Sequence, residues 1–332
     1  MEHLFPFERI KREILTKTEA ETNPNFGKNA QDLPISDLLD YGIVNINKPQ
    51  GPSSHQVTDY VKKILELNKA GHSGTLDPNV TGSLIIAFGK ATRVINNLLK
   101  AGKEYVCLMH LHSEVEEKKL RLVMNSFVKK IEQLPPVRSA VKRNKRQREI
   151  YWIEILEIKN NQDILFRVGC EAGTYVRKLC HDIGLELNTN AHMVQLIRTR
   201  VGPFNEDSMY SLYELKDAYE LYKQGNEKEL RKIILSIETA VHHLPKIWVS
   251  DYTVNAICHG ADLAIPGIVK LHSNIQEKEL VAIMTLKNEL VATGTSLLST
   301  QKILVNNKGI AIKIEKVFMQ RNIYPKYIKN SN

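Results

Sequence analysis

Apolar and polar positions change texture twice along the chain. Residues 1–40 hold no sustained period: charged residues mix with Pro24, Asn25, Gly27 and Pro34, which reads as an extended arm. At Tyr41 a pattern begins. Tyr41–Ile46 predicts a short strand, Asn47-Lys48-Pro49-Gln50-Gly51-Pro52 a turn, and Ser53 with Gln56 a capping box. Val57, Tyr60, Val61, Ile64 and Leu65 then recur at helical spacing. The polar, glycine-rich stretch Gly71–Pro78 cannot be regular throughout. Beyond it the pattern predicts a strand at Ser83–Phe88, a helix at Ala91–Lys100, a strand at Glu104–His112 and a helix over 118–132. Ile150–Ile158 and Asp163–Cys170 read as a hairpin turning at Asn160-Asn161. A helix at Thr174–Leu187, a strand at Met193–Val201 and helical residues 211–243, broken near Gly225-Asn226, complete this part. After Leu244-Pro245 strand-like runs (Lys246–Val249, Glu279–Thr285, Leu290–Thr295, Gly309–Val317) alternate with Gly and Pro turns. The expected architecture is α+β, built on a mainly antiparallel sheet and followed by a smaller β-rich domain. Lys326–Asn332 reads as a frayed tail.

Composition narrows the possibilities. The chain has 332 residues, 42% of them hydrophobic, which suits two or three domains and excludes a disordered chain. No apolar run is long enough to span a bilayer. The first residues carry Glu2, Glu8, Arg9, Lys11, Arg12 and Glu13 where a signal peptide needs an apolar core, so a cytoplasmic location is expected. Cys107, Cys170, Cys180 and Cys258 form no CxxC pair and no zinc spacing; they read as reduced, buried thiols. Lys plus Arg exceeds Asp plus Glu, 46 to 37, for a net charge of +9. That surplus is modest, but its placement is informative. Arg138, Lys142, Arg143, Lys145, Arg146 and Arg148 fall within one window that holds no anion. Such a window is either a solvated loop or a grip on phosphates, whose binding would depend on salt.

Familiar chemical motifs fail one by one. Gly71-His72-Ser73-Gly74 lacks the final glycine of a nucleophile elbow, because position 75 is Thr. Gly82 to Gly89-Lys90 has the wrong gap for a P-loop, and Ala91 stands where Ser or Thr is needed. His242 and His243 are adjacent on a helical stretch and cannot share a face. No G-x-G-x-x-G occurs, so neither cofactor nor metal is expected. Two features remain. Asp77, before Pro78 in the small-residue loop, is either a turn-former or a reactive carboxylate. Arg177 opens the helix after Gly173-Thr174-Tyr175-Val176; it is either a solvated surface residue or has another task, since a cation there opposes the helix dipole.

Taken together, these residues resemble one family. His72-Ser73-Gly74-Thr75-Leu76-Asp77-Pro78, with Gly71 before it and Thr81-Gly82 after it, is similar to the catalytic motif of the TruB family of pseudouridine synthases. Lys48-Pro49 with Gly51, Lys103-Glu104-Tyr105, Gly173–Arg177, and Leu196 with Arg198 resemble its other motifs. Arg138–Arg143 and Cys258–Leu263 point to its archaeal and eukaryotic dyskerin branch, and the short chain without lysine-rich tails resembles the archaeal form. Ile197 and Ser113 depart from the family pattern.

The resemblance implies a pseudouridine-synthase fold, a mixed and mainly antiparallel sheet flanked by helices, with a C-terminal PUA pseudobarrel. It implies an arm at 1–40 packing on the PUA domain, a catalytic domain at 41–243, a PUA domain at 244–325 and a tail at 326–332. The activity implied is isomerisation of uridine in RNA without a cofactor or metal, with Asp77 as the catalytic carboxylate and Arg177 as its partner. Tyr105 would stack on the base, and Tyr175 and Leu196 would line the pocket. His72, Lys48, Arg138, Lys142, Arg143, Lys145, Arg146 and Arg148 would contact RNA. Implied partners are tRNA, modified at its T-loop uridine, or ribosomal RNA with an H/ACA guide RNA and small accessory proteins of that ribonucleoprotein; no membrane is involved. The alternative from another class is a catalytically silent RNA-binding scaffold.

Overall fold

A computed structural model describes residues 3–29, 32–135 and 144–326. In chain order the strands are β1 (Ile14–Thr16), β2 (Gly42–Lys48), β3 (Ala70–His72), β4 (Thr81–Phe88), β5 (Lys103–Leu111), β6 (Lys130–Gln133), β7 (Arg146–Lys159), β8 (Asp163–Cys170), β9 (Ala191–Val201), β10 (Met209–Tyr210), β11 (Leu235–Ser236), β12 (Lys246–Val249), β13 (Leu263–Ala264), β14 (Ile268–His272), β15 (Leu280–Thr285), β16 (Leu290–Ser296) and β17 (Ile310–Val317). The α-helices are α1 (Ile35–Tyr41), α2 (Ser54–Ile64), α3 (Ile95–Leu99), α4 (Glu117–Ser126), α5 (Val176–Glu186), α6 (Leu212–Lys223), α7 (Lys228–Ile233), α8 (Asp251–Cys258) and α9 (Thr300–Val305). Contacts divide the chain into two units. One comprises Met1–Arg9, Val44–Ile86 and Asn96–Ile233; the other comprises Ile10–Ile43, Ala87–Ile95 and Ile234–Asn332.

The first unit is built on a mixed sheet with strand order β10-β2-β4-β9-β5-β8-β7-β6, to which β3 adds beside β4. β5 is its organising strand, antiparallel to β8 on one side and to β9 on the other. Alternate residues Cys107, Met109 and Leu111 of β5 are fully buried, as the period of two requires of a core-facing row. They share a core with Ile164, Phe166 and Val168 of β8, Leu120 and Met124 of α4, and Leu179, Cys180 and Ile183 of α5. The β7–β8 hairpin turns at Asn160 and Asn161, both at positive φ (52° and 50°), the conformation that matches strand twist and that asparagine tolerates. Helix α2 starts on the capping box expected from Ser53 and Gln56. At the N-terminus Phe5 is buried against Tyr151 and Trp152, and Arg200 lies 4.6 Å over its ring.

The second unit holds a sheet of order β1-β14-β12-β15-β16-β17-β13. Its core includes Ile247, Val249, Ile257, Leu271, Ile283, Val291 and Ile312. β1 pairs antiparallel with β14, Ile14 opposite His272 and Thr16 opposite Lys270. The arm is held further by hydrogen bonds from Thr22 and Asn23 to Asp251 and by the Arg12–Glu279 ion pair at 2.8 Å.

The α+β class matches the sequence expectation, but several elements need correction. The stretch 1–40 is not extended throughout: it contains β1 and α1. Tyr41 closes α1 and does not open the strand. The helix expected over 118–132 stops at Ser126, and Lys130–Gln133 crosses to pair with β7. The hairpin strand begins at Arg146, earlier than the apolar run suggests, because its first residues are ordered by β6. Helices α8 and α9 and strands β13 and β14 gave no periodic signal; each spans eight residues or fewer.

Candidate active site

The loop carrying Asp77 is pinned on both sides. Leu76 and Val80 are 5% and 4% exposed and insert into the core of the first unit, while Thr75, Asp77, Pro78 and Asn79 face solvent. Burying a side chain of this size contributes roughly 1.5–3 kcal/mol, so the two apolar flanks fix the loop between them. Polar bonds complete the clamp. Ser54 Oγ accepts from Leu76 N at 2.8 Å and donates to Leu76 O at 3.1 Å. Gly51 N donates to Pro78 O at 2.9 Å.

Lys48 is fully buried, and its Nζ donates to Pro49 O, Pro78 O and Val80 O at 2.8, 3.0 and 3.0 Å. An ammonium has three donors, and all three are taken. This corrects the expectation that Lys48 touches RNA: it braces the Asp77 loop from beneath. Burial pulls its pKa down, against the opposing influence of the Asp77 charge.

Asp77 Oδ2 accepts a hydrogen bond from Arg177 Nη2 at 2.6 Å. Both side chains remain more than half exposed, at 57% and 58%. Arg177 is the second residue of α5, whose start is set by its neighbours. Gly173 adopts φ +81°, Thr174 Oγ1 donates to Glu171 O at 2.7 Å, and Gln133 forms a pair of bonds with the backbone of Tyr175. Gln133 is 1% exposed. It was not foreseen, because nothing in the local sequence marks a glutamine that acts on a helix 42 residues later. Tyr175 itself is half-buried.

A second layer is organised by Arg198, which was noted in a motif but not chosen as a site residue. It is 2% exposed and donates from Nε to Ser83 O at 2.7 Å and from Nη2 to Gly74 O at 3.2 Å. It thereby ties the Gly74 end of the Asp77 loop to β4. Gly82, opposite Arg198 in the parallel β4–β9 pairing, sits at φ +99°; a Cβ there would lie 2.2 Å from the Arg198 carbonyl oxygen, so only glycine allows this approach. Tyr105 faces Arg198 across the β5–β9 ladder. Burial raises the pKa of the Tyr105 phenol, and Arg198 opposes that rise. The sequence signal for Arg198 was a cation in a strand that otherwise faces a core.

Lys103 is also buried and donates to Leu98 O, Leu99 O and Ala101 O at 3.1, 2.8 and 2.7 Å. Burial, then the charge of Arg198, pull its pKa down to about 7, with Cys170 opposing. His72 is half-buried and meets His55 edge to face, ring centres 4.9 Å apart. Burial, His55 and Arg198, in that order, lower its pKa and favour the neutral ring. Leu196 is 8% exposed and shares the core that holds Leu76 and Val80.

The basic window divides. Arg138, Lys142 and Arg143 lie outside the described residues. Arg146 and Arg148 are on β7, which corrects the reading of the whole window as a loop. Lys145 pairs with Glu132 at 2.8 Å, and Arg148, 19% exposed, lies 3.7 Å from Glu171 and packs over Gly173. Among the described residues no helix is long and apolar enough to cross a membrane.

A carboxylate held by a guanidinium at the mouth of a braced loop, with a buried arginine and a tyrosine behind it, accords with the family that the whole chain matches. Residues 62–176 match the N-terminal domain of TruB family pseudouridylate synthases, and 177–242 match the C-terminal domain of tRNA pseudouridylate synthase B. Residues 4–58 match the DKCLD domain and 245–318 the PUA domain. The chain belongs to the TruB family of pseudouridylate synthases and is an RNA-modifying isomerase.

Its relatives are specific. The probable tRNA pseudouridine synthase B of Pyrococcus abyssi is 55% identical over 320 residues, 96% of each chain. The protein of the same description from Methanopyrus kandleri is 50% identical over 322 residues, 97% of this chain and 95% of that one. Among solved structures, a Cbf5–Nop10–Gar1 complex matches with a TM-score of 0.93 at 54% identity, covering 98% of this chain and 99% of that one. An H/ACA ribonucleoprotein bound to a substrate RNA containing 2′-deoxyuridine matches with a TM-score of 0.91 at 52% identity and the same coverage. The resemblance drawn from the motifs and the enzyme reading are therefore correct, and the silent-scaffold alternative is set aside.

Proposed function

We propose that this chain isomerises uridine to pseudouridine in tRNA at the T-loop and, within an H/ACA ribonucleoprotein, at guide-selected uridines of ribosomal RNA. The observation that carries the site assignment is the 2.6 Å bond between Asp77 and Arg177 on a loop locked by Leu76, Val80 and Lys48. The reaction breaks the bond from ribose C1′ to uracil N1, turns the base and joins C1′ to C5; N1 gains a proton and C5 loses one, so nothing is consumed. It needs an ionised carboxylate beside C1′, and Asp77 fills that role. Arg177, bonded to Asp77 at 2.6 Å, sets a positive charge against the carboxylate at the point where the base closes over it.

The target base must leave its stack to reach the carboxylate. Tyr105 is assigned to stack on it, with Tyr175 and Leu196 forming the wall. A neutral His72 enters the space the base vacates. Arg138, Lys142, Arg143 and Arg146 grip phosphates; Lys145 and Arg148 contribute less, because carboxylates already face them. We assign the catalytic domain to 41–243, the RNA-binding PUA domain to 244–325, the arm to 1–40 and the tail to 326–332, and place the protein in the cytoplasm.

The two substrates rest on different relatives: tRNA on the described function of the Pyrococcus abyssi protein, guided RNA on the complexes with Nop10, Gar1 and RNA. The test supplies purified chain with a T-loop stem-loop carrying 5-tritiated uridine, then a guide RNA with its target and the accessory proteins. Tritium release from the stem-loop by the chain alone, and from the target only with guide and accessory proteins, is the expected result. No release in either arm overturns the proposal.

A further inference from the structure

Gln133 is the last residue of β6 and stands opposite Arg146 of β7. Its neighbour on the same face, Ile131, packs on the core of the first unit, so Gln133 holds a position whose period calls for an apolar side chain. It is buried. A primary amide at such depth costs stability unless its oxygen and its nitrogen find partners. Here a single residue supplies both. Oε1 accepts from Tyr175 N at 3.0 Å, and Nε2 donates to Tyr175 O at 3.2 Å. Tyr175 offers one main-chain donor and one acceptor, so only this orientation of the amide fits.

The place of this contact gives it a function. Tyr175 precedes α5 with extended backbone (φ −98°, ψ 101°), and its side chain makes no capping bond to the first turn. Ser, Thr, Asp or Asn commonly stands at that position, and its side chain fixes where the chain enters the helix. Tyrosine cannot do this, and Gln133 sets the entry from a neighbouring strand. Tyr175 O also accepts the first α-helical bond, from Leu179 N at 3.0 Å, so the amide and the helix share one carbonyl. Val176 and Leu179 bury the inner face of the turn. That packing is non-directional, whereas the paired hydrogen bonds fix the position and tilt of the backbone. Arg177 lies two residues beyond Tyr175, about 3 Å along the helix. Its guanidinium and the Asp77 carboxylate are both more than half exposed, so close packing does not enforce their 2.6 Å contact. The backbone from which Arg177 projects does.

We infer that Gln133 is a positioning residue of the isomerisation. By holding Tyr175 N and O it sets where Tyr175 lines the pocket and where Arg177 meets Asp77. The inference rests on the assignment of Asp77 and Arg177 to the reacting site. The turn before α5 is tied to the same hairpin a second time: Glu171 N donates to Glu149 O at 2.8 Å, and Glu149 N donates to Glu171 Oε2 at 3.1 Å. Losing the Gln133 bonds therefore leaves the turn attached and frees the helix start alone.

The test compares full-length Gln133→Met and Gln133→Glu with the parent in single-turnover pseudouridylation of a T-loop RNA, with RNA affinity and melting temperature measured beside it. Methionine keeps the length and burial of the side chain and loses both bonds. The rate at saturating RNA should fall roughly tenfold to a hundredfold, the range expected of a misplacement near 1 Å, while RNA affinity is unchanged. Glutamate separates the bonds from the packing. Its neutral carboxyl accepts from Tyr175 N and donates its O–H to Tyr175 O, as the amide does; its ionised form has no donor. Gln133→Glu should therefore turn over at a near-parent rate at the acidic end of the range in which the parent is active, and faster there than Gln133→Met. A parent-like rate in Gln133→Met, or a rate loss matched by an equal loss of RNA affinity, overturns the inference. If the methionine variant does not fold, Gln133→Glu decides alone: a rate depressed equally at every pH, relative to the parent, contradicts the inference. Arg177→Ala in the same assay keeps two failures apart. A parent-like rate there overturns the assignment of the pair, whereas a slow Arg177→Ala beside a fast Gln133→Met overturns only the role of Gln133.

Discussion

Tyr105 and Arg198 are direct partners across the β5–β9 ladder, and that pairing joins two sequence motifs more than ninety residues apart. The guanidinium beneath it reaches the carbonyls of Ser83 and Gly74, so one buried side chain connects the tyrosine strand, β4 and the Asp77 loop.

Removing that guanidinium should affect stability and chemistry together. Arg198→Ala leaves two carbonyls without their charged donor, each such bond contributing about 1.5–3 kcal/mol. Arg198→Ala should therefore lose about 3 kcal/mol or more in urea unfolding and turn over poorly even when folded. Arg198→Lys should recover little of either, because an ammonium cannot span both carbonyls from one planar fork.

Lys48→Met separates bracing from RNA contact. The variant strands the carbonyls of Pro49, Pro78 and Val80. Single-turnover rate and melting temperature should fall, while RNA affinity and its salt dependence stay as in the parent. A reduced salt slope would return Lys48 to the RNA interface.

Lys103 makes stability depend on pH. Its folded pKa, about 7, lies below the value of 10.5 that it has when free. Between those values the unfolded chain binds more protons, so this residue's contribution makes stability rise as pH increases from about 7 to about 10.5. Below about 7 its burial cost is felt in full. The difference in unfolding free energy between parent and Lys103→Met, measured across that range, should change in this direction; a flat difference contradicts it.

Neutralising Lys142, Arg143, Lys145 and Arg146 together should weaken RNA binding and flatten its dependence on salt, since each lost phosphate contact removes roughly 0.7–0.9 from the logarithmic slope. The Lys145→Gln change alone should do little, because Glu132 already neutralises that ammonium. An unchanged slope in the fourfold variant contradicts the grip.

Local sequence singled out Asp77 and Arg177 as candidates, because what marks them lies within a few residues; their roles came from the family resemblance. Asp77 stands in a loop too rich in small and polar residues to be regular, and Arg177 stands where the helix dipole disfavours a cation. The Ser53–Gln56 cap and the Asn160-Asn161 turn were readable for the same reason: each is decided within a few residues. What escaped is decided by register and burial. Gln133 acts on Tyr175 only because β6 lies along β7, and Arg198 becomes central only once β9 is parallel to β4. The resemblance left Lys48 between RNA contact and support of the pocket, and only the three carbonyls around its ammonium favour support. β1 and α1 were hidden because β1 depends on β14, more than 250 residues away, and α1 has only seven residues and no side-chain cap.

The most direct test of the central claim is single-turnover pseudouridylation of a T-loop RNA by Asp77→Asn, with RNA affinity measured in parallel. Asparagine keeps the shape of the side chain and removes the charge that the reaction requires. The account predicts that RNA still binds while isomerisation disappears. Turnover within tenfold of the parent would show that the reacting carboxylate lies elsewhere.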